Sequence, residues 1–146
     1  MAIAHIFPVS KERPRTSWIG PSSRGLAELR PPPYQLSLKP LHDRAVHLAD
    51  SGLKFPNGSI ITPDGKTLVV GETRGNRLTA WDIASDGTLL NRRIWADLGK
   101  NFPDGICLDE EGAIWVADPR LKETIRVKQG GEVTHRISTN DYGSFA

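Results

Sequence analysis

Two copies of one four-residue phrase stand 47 positions apart in this chain, Phe55-Pro56-Asn57-Gly58 and Phe102-Pro103-Asp104-Gly105. Each opens the same series of short segments. Behind the first come Ile60-Ile61, a Pro63-Asp64-Gly65 turn, Thr67-Leu68-Val69-Val70 and Arg77-Leu78-Thr79-Ala80-Trp81. Behind the second come Ile106-Cys107-Leu108, a Glu110-Glu111-Gly112 turn, Ala113-Ile114-Trp115-Val116-Ala117 and Thr124-Ile125-Arg126-Val127. A period of this length, filled by four short strands and Gly-centred turns, belongs to the blades of a β-propeller. The chain is therefore expected to be all-β, with two legible blades.

The turns and strands can be placed more closely. Blade one is expected over 59–62, 67–72, 77–83 and 89–98, and blade two over 106–109, 113–118, 124–128 and 132–138. Asp-Gly pairs supply the positive φ that tight hairpins need. Val46-His47-Leu48-Ala49-Asp50 reads as the outer strand of a preceding blade, with Ser51-Gly52-Leu53-Lys54 as the connection. Helices fit poorly, because Gly or Pro interrupts every helical run and the apolar segments are rich in Val, Ile, Thr and Trp. A propeller closes with about four blades or more, so two blades imply part of a larger ring.

Residues 1–45 differ from the rest. Seven prolines, including Pro31-Pro32-Pro33, remove backbone donors and favour extended or polyproline-like chain, so this Pro-rich, basic segment is expected to be irregular and poorly ordered. It holds seven Lys and Arg against three acidic residues, which leaves 12 basic and 14 acidic residues in the region 46–146. A repeat region balanced in this way speaks against a nucleic-acid groove, whose affinity rests on clustered cations. No run approaches the roughly 20 apolar residues of a membrane span, and the first residues lack the pattern of a secretory signal. A cytoplasmic protein without membrane contact is expected. The single cysteine, Cys107, excludes an internal disulfide and reads as a small buried hydrophobe between Ile106 and Leu108.

A radial repeat puts equivalent residues of successive blades side by side around one axis. Asn57 and Asp104 should therefore meet at one mouth of the central channel. An amide oxygen and a carboxylate there are hard donors, part of what calcium takes among its six to eight oxygen ligands. Taken singly each phrase would mean only a turn, but their shared register favours a site. Other candidates have plainer readings. Glu72 ends a strand and is expected to be a solvated turn carboxylate. Trp81, Trp95 and Trp115 suit packing between blades, and Arg92-Arg93 should face opposite sides of an outer strand. His47 and His135 fall in outer strands of different blades and make no pair.

The stretch from Val46 to Thr139 resembles the SMP-30/gluconolactonase family, which includes regucalcin. Its matching text runs from Phe55-Pro56-Asn57-Gly58 and Thr62-Pro63-Asp64-Gly65-Lys66-Thr67-Leu68 through Asn76-Arg77-Leu78-Thr79-Ala80-Trp81-Asp82-Ile83. It continues through Asn91-Arg92-Arg93-Ile94-Trp95-Ala96-Asp97-Leu98 to Pro103-Asp104-Gly105-Ile106-Cys107-Leu108-Asp109. The resemblance implies a six-bladed propeller with a divalent metal in its channel, calcium first, with zinc, manganese or magnesium as alternatives. It assigns Asn57 and Asp104 as metal ligands and Asp104 also as the catalytic base for hydrolysis of a small lactone or ester.

The family's glutamate ligand, found within Glu-Gly-Pro, has no match here; Glu12 and Glu28 have different neighbours. The Arg and Asn that hold substrate in the family also belong to a blade without a match. The chain thus reads as an incomplete member. The alternative is a non-catalytic propeller fragment serving as a binding or assembly module, with self-association through exposed blade edges.

Overall fold

The computed structural model describes residues 34–38 and 47–145. Apart from strand β1 (Tyr34–Leu38), the Pro-rich segment 1–45 lies outside the described residues. β1 pairs antiparallel with β2 (His47–Leu53), and this pairing carries β2 through Ser51-Gly52-Leu53, where the sequence suggested a connection. Tyr34 opposes Leu53 and Gln35 opposes Ser51 across that ladder.

Two four-stranded antiparallel meanders follow. Blade one consists of β3 (Pro56–Ile61), β4 (Thr67–Glu72), β5 (Arg77–Ile83) and β6 (Leu89–Asp97). Blade two consists of β7 (Ile106–Leu108), β8 (Ile114–Asp118), β9 (Glu123–Val127) and β10 (Val133–Ser138). In both sheets spatial order follows chain order, which is the build of a propeller blade. Turn chemistry fixes the first hairpin: Gly65 takes φ +72°, its N–H donates to the Thr62 carbonyl at 2.8 Å, and the Thr62 N–H donates to the Thr67 carbonyl at 3.0 Å. No helix among the described residues is long and apolar enough to cross a membrane.

The period of two along β4 shows how blade one is held. Leu68 and Val70 point to one face, where they join Leu53 and Trp81. Val69 points to the other and joins Leu78, Ala80, Trp95, Ile106, Ile114, Val116, Ile125 and Val127. Buried on both faces, β4 therefore reads as an apolar run instead of an alternation. Trp81 and Trp95 take the packing positions expected of them.

Cys107 departs from expectation. It is exposed, because it opposes Trp115 in the β7–β8 ladder and shares with it the face of blade two turned away from blade one. Ile106, its neighbour, takes the buried face.

Main-chain bonds join the two blades at both radii. On the inner side the Gly58 N–H donates to the Asp104 carbonyl at 2.8 Å, and on the outer side the Gly130 N–H donates to the Trp95 carbonyl at 2.8 Å. The inner contact leaves no room for a side chain: a Cβ on Gly58 would lie 2.6 Å from both the Asp104 carbonyl oxygen and the Ile106 nitrogen. Glycine is thus required by close approach of two backbones.

Candidate functional site

The duplicated phrase comes together where the two innermost strands meet. β3 starts at Pro56, which opposes Glu72, and its register then shifts between Pro56 and Ser59. Through that irregularity the Gly58 N–H leaves its own sheet and bonds Asp104 of the next. Such a bulge re-aims a side chain. Asn57 Nδ2 donates to Asp104 Oδ1, so the two residues singled out in the sequence are in direct contact. Both are hard oxygen-bearing groups, the donor chemistry suited to a cation such as calcium. Among the described residues no cluster of three or more His, Cys, Asp or Glu surrounds a common point.

Thr73 closes the arrangement. Its Oγ1 donates to the Pro103 carbonyl at 2.6 Å and receives Asn57 Nδ2 at 3.5 Å. Its N–H donates to the Phe55 carbonyl at 2.9 Å. One residue thus touches both copies of the phrase. Two arginines frame them: Arg74 lies over the Phe55 ring at 5.1 Å and Arg120 over the Phe102 ring at 4.1 Å. A separate cleft of about 410 Å³ opens between the blades at the far end of β3, lined in part by Ile60, Asp64, Arg93, Trp95 and Leu108. Asn57 and Asp104 do not line it.

Glu72 differs most from its sequence reading. Instead of a solvated turn carboxylate it is fully buried. Arg77 grips it in a fork, Nε to Oε1 at 2.9 Å and Nη2 to Oε2 at 3.1 Å, while Thr79 Oγ1 donates to Oε1 at 2.6 Å. The Lys54 N–H donates to Oε2 at 2.6 Å, which pins the chain as it enters Phe55-Pro56-Asn57. Burial works to raise the pKa of Glu72, but the hydrogen bonds from Arg77, Thr79 and the Lys54 N–H outweigh it and hold the pKa below the ordinary 4.5.

Asp118 plays the matching part in blade two. It too is fully buried, and its Oδ2 accepts the Phe102 N–H and Asn101 Nδ2, each at 2.9 Å. Its Oδ1 accepts the N–H groups of Arg120 and Leu121. The sequence carried a signal for both acids, since each closes the second strand of its blade, after Gly71 and after Ala117. Overlaying the repeats on that strand would have found them.

Arg92 likewise does more than solvate an outer strand. It donates to the Ser51 carbonyl at 2.9 Å, lies 3.4 Å from Asp50 and 3.7 Å from Glu72, and stands over the Trp81 ring. Trp81 Nε1 donates to Asp50 at 2.7 Å. Arg93 turns the other way and pairs with Asp82 at 2.7 Å. The first sheet and blade one are thereby joined by polar contacts around a buried indole.

These two meandering sheets, laid face to face and joined at their inner strands, are blades of a β-propeller. The chain belongs to the SMP-30/Gluconolactonase/LRE-like family, whose model matches residues 18–142. A gluconolactonase from Xanthomonas campestris superposes with a TM-score of 0.65 and 26% identity, covering 81% of this chain and 38% of its own. The calcium-binding protein regucalcin from Agrobacterium tumefaciens gives 0.62 and 24%, over 70% of this chain and 36% of its own, and adds support for the fold. Protein STRICTOSIDINE SYNTHASE-LIKE 13 of Arabidopsis thaliana is 35% identical over 75 residues, which are 51% of this chain and 18% of that protein. The chain therefore spans a minor part of the length of these relatives.

Proposed function

We propose that this chain carries part of the active centre of a metal-dependent hydrolase acting on a small lactone or ester, with calcium as the favoured ion. The observation behind this reading is the contact of Asn57, in β3, with Asp104, in the residues leading into β7 of the adjoining blade. Family membership and the likeness to a gluconolactonase support the same class. Asn57, through its amide oxygen, and Asp104, through its carboxylate, would hold the cation. When bound, a divalent cation polarises the carbonyl under attack and offsets the charge that develops on its oxygen.

Asp104 has a second part as general base. As the water oxygen adds to the ring carbonyl carbon, one water proton passes to the Asp104 carboxylate. The carbonyl then re-forms as the ring C–O bond breaks, its electron pair leaves on the alkoxide oxygen, and that oxygen takes the proton held by Asp104, which is thereby restored. The product is the open hydroxy acid. Two donors are a fraction of the six to eight that calcium takes, so the chain by itself should bind the ion weakly and turn over slowly. A reducing compartment such as the cytoplasm suits a protein with one exposed thiol.

Calorimetric calcium titration of the full chain, together with acid release from a sugar lactone in a pH-stat, tests this reading. Binding near 10⁻³ M or weaker, lost in Asp104→Ala and Asn57→Ala, is the expected result, with slow turnover. Calcium binding and turnover that both variants leave unchanged would sink it. Tight binding with brisk turnover, each abolished in Asp104→Ala, would overturn the view of this chain as an incomplete centre. No binding and no turnover in any form would favour a non-catalytic binding or assembly module.

A further inference from the structure

We propose that Thr73 is a positioning residue that, together with Asp104, fixes which way the Asn57 amide faces. The inference deepens the reading of Asn57 and Asp104 as one site and rests on it for its meaning, though its geometry stands alone. A hydroxyl has one proton to give. Thr73 spends it on the Pro103 carbonyl, an acceptor only, at 2.6 Å. Toward Asn57 it can then present only a lone pair. The Asp104 carboxylate likewise offers lone pairs.

The Asn57 amide consequently meets two acceptors, and its NH2 must turn toward them. Nδ2 donates to Asp104 Oδ1 and, more distantly, to Thr73 Oγ1 at 3.5 Å. The neighbouring groups thus assign the amide's two ends. Nδ2 is engaged with the protein, and Oδ1 is kept as the acceptor for an incoming cation or substrate donor. Thr73 can hold this part because its own backbone is fixed to the phrase, through the N–H donated to Phe55. Orienting groups of this kind commonly change metal affinity by tenfold or more when removed.

The plainer account of Thr73 is a stitch between blades, which would affect stability alone. Two variants of the full chain separate the accounts: Thr73→Val keeps the shape without the hydroxyl, and Thr73→Ser keeps the hydroxyl without the methyl. The first readout is the Asn57 side-chain amide in a ¹H–¹⁵N spectrum recorded without metal, assigned by its disappearance in Asn57→Asp. The two amide protons of Thr73→Ser should match those of wild type in shift and in rate of exchange with water. Thr73→Val should move them and speed exchange by about fivefold, the size of one modest hydrogen bond. Unchanged amide signals in Thr73→Val overturn the proposal, and so does a Thr73→Ser variant that behaves like Thr73→Val.

The second readout is calcium affinity, expected to fall by about tenfold in Thr73→Val and to be restored in Thr73→Ser. Calcium binding that Thr73→Val leaves intact also overturns the positioning role. If wild type binds no calcium while the amide signals respond as expected, the orientation stands and the metal reading falls.

Discussion

Glu72 and Asp118 do one job in two chemistries. Each is a buried carboxylate at the end of the second strand of its blade, and each receives a main-chain N–H from the residues leading into a Pro-[Asn/Asp]-Gly sequence. In blade one the longer side chain reaches an arginine fork, so the charge is neutralised on the spot. In blade two the shorter side chain is met by Asn101 and three main-chain N–H groups. The formal ion pair lies farther out, where Arg136 meets Glu123 at 2.6 Å and Asn101 Nδ2 bonds Glu123 at 2.7 Å. A repeat therefore conserves the position of a restraint and lets its chemistry drift with side-chain length. Blade one depends on a buried carboxylate paired with a half-buried arginine, whereas blade two depends on neutral donors.

The largest effect should come from Glu72→Ala. Removing the buried carboxylate leaves the partly exposed Arg77 without its partner and the Lys54 N–H without an acceptor, a loss of about 3 kcal/mol. Urea unfolding measures it; a loss below about 1 kcal/mol, the range of exposed pairs, would show that the pair is solvated and break the contrast between blades.

Gly58→Ala tests the contact on which both blades converge. Its Cβ would press on two backbone atoms at 2.6 Å, neither of which can rotate away. Overpacking of this kind costs about 1–3 kcal/mol. The same variant should weaken the Asn57–Asp104 contact, read from the Asn57 side-chain amide, while leaving the far hairpin at Gly65 unchanged. A variant as stable as wild type with unchanged amide signals would mean that the inner strands are not held together there.

The smallest effect is a pH slope. Since the folded state holds the Glu72 pKa below 4.5, the unfolded chain takes up the proton first as the solution is acidified. The stabilisation is complete above about 4.5 and is lost as pH falls through the depressed folded value. Glu72→Gln should be less stable than wild type at neutral pH, with the gap narrowing below about pH 4.5. A gap that stays constant over that range would show that the charge of Glu72 is not what distinguishes blade one.

Much of this fold could be read from residues alone because its signals are local. Asp-Gly turns and Val/Ile/Thr-rich segments place all eight blade strands to within about three residues. The contact of Asn57 with Asp104 was legible because radial repetition turns a spacing in sequence into a neighbourhood in space. Glu72 was misread for the opposite reason: its burial depends on Lys54, Arg77, Thr79 and Arg92 arriving from three other segments, and no local pattern announces that. Cys107 was misread because the alternation of a three-residue strand does not say which face a neighbouring blade will cover. β1 was missed beside Pro31-Pro32-Pro33, where composition pointed to irregular chain and only the partner strand shows a ladder.

The paired main-chain bonds at Gly58 and Gly130, one near the axis and one near the rim, have a consequence for how such a molecule can change over generations. Bonds at opposite radii remove the freedom of one sheet to swing against the next, so the angular pitch of this blade pair is set by backbone atoms. Side chains beside these joints can then be exchanged without altering that pitch. A ring built on joints of this sort can vary its exposed side chains while its closure stays the same, and Asn in one copy of the repeated phrase with Asp in the next is a small instance of that independence.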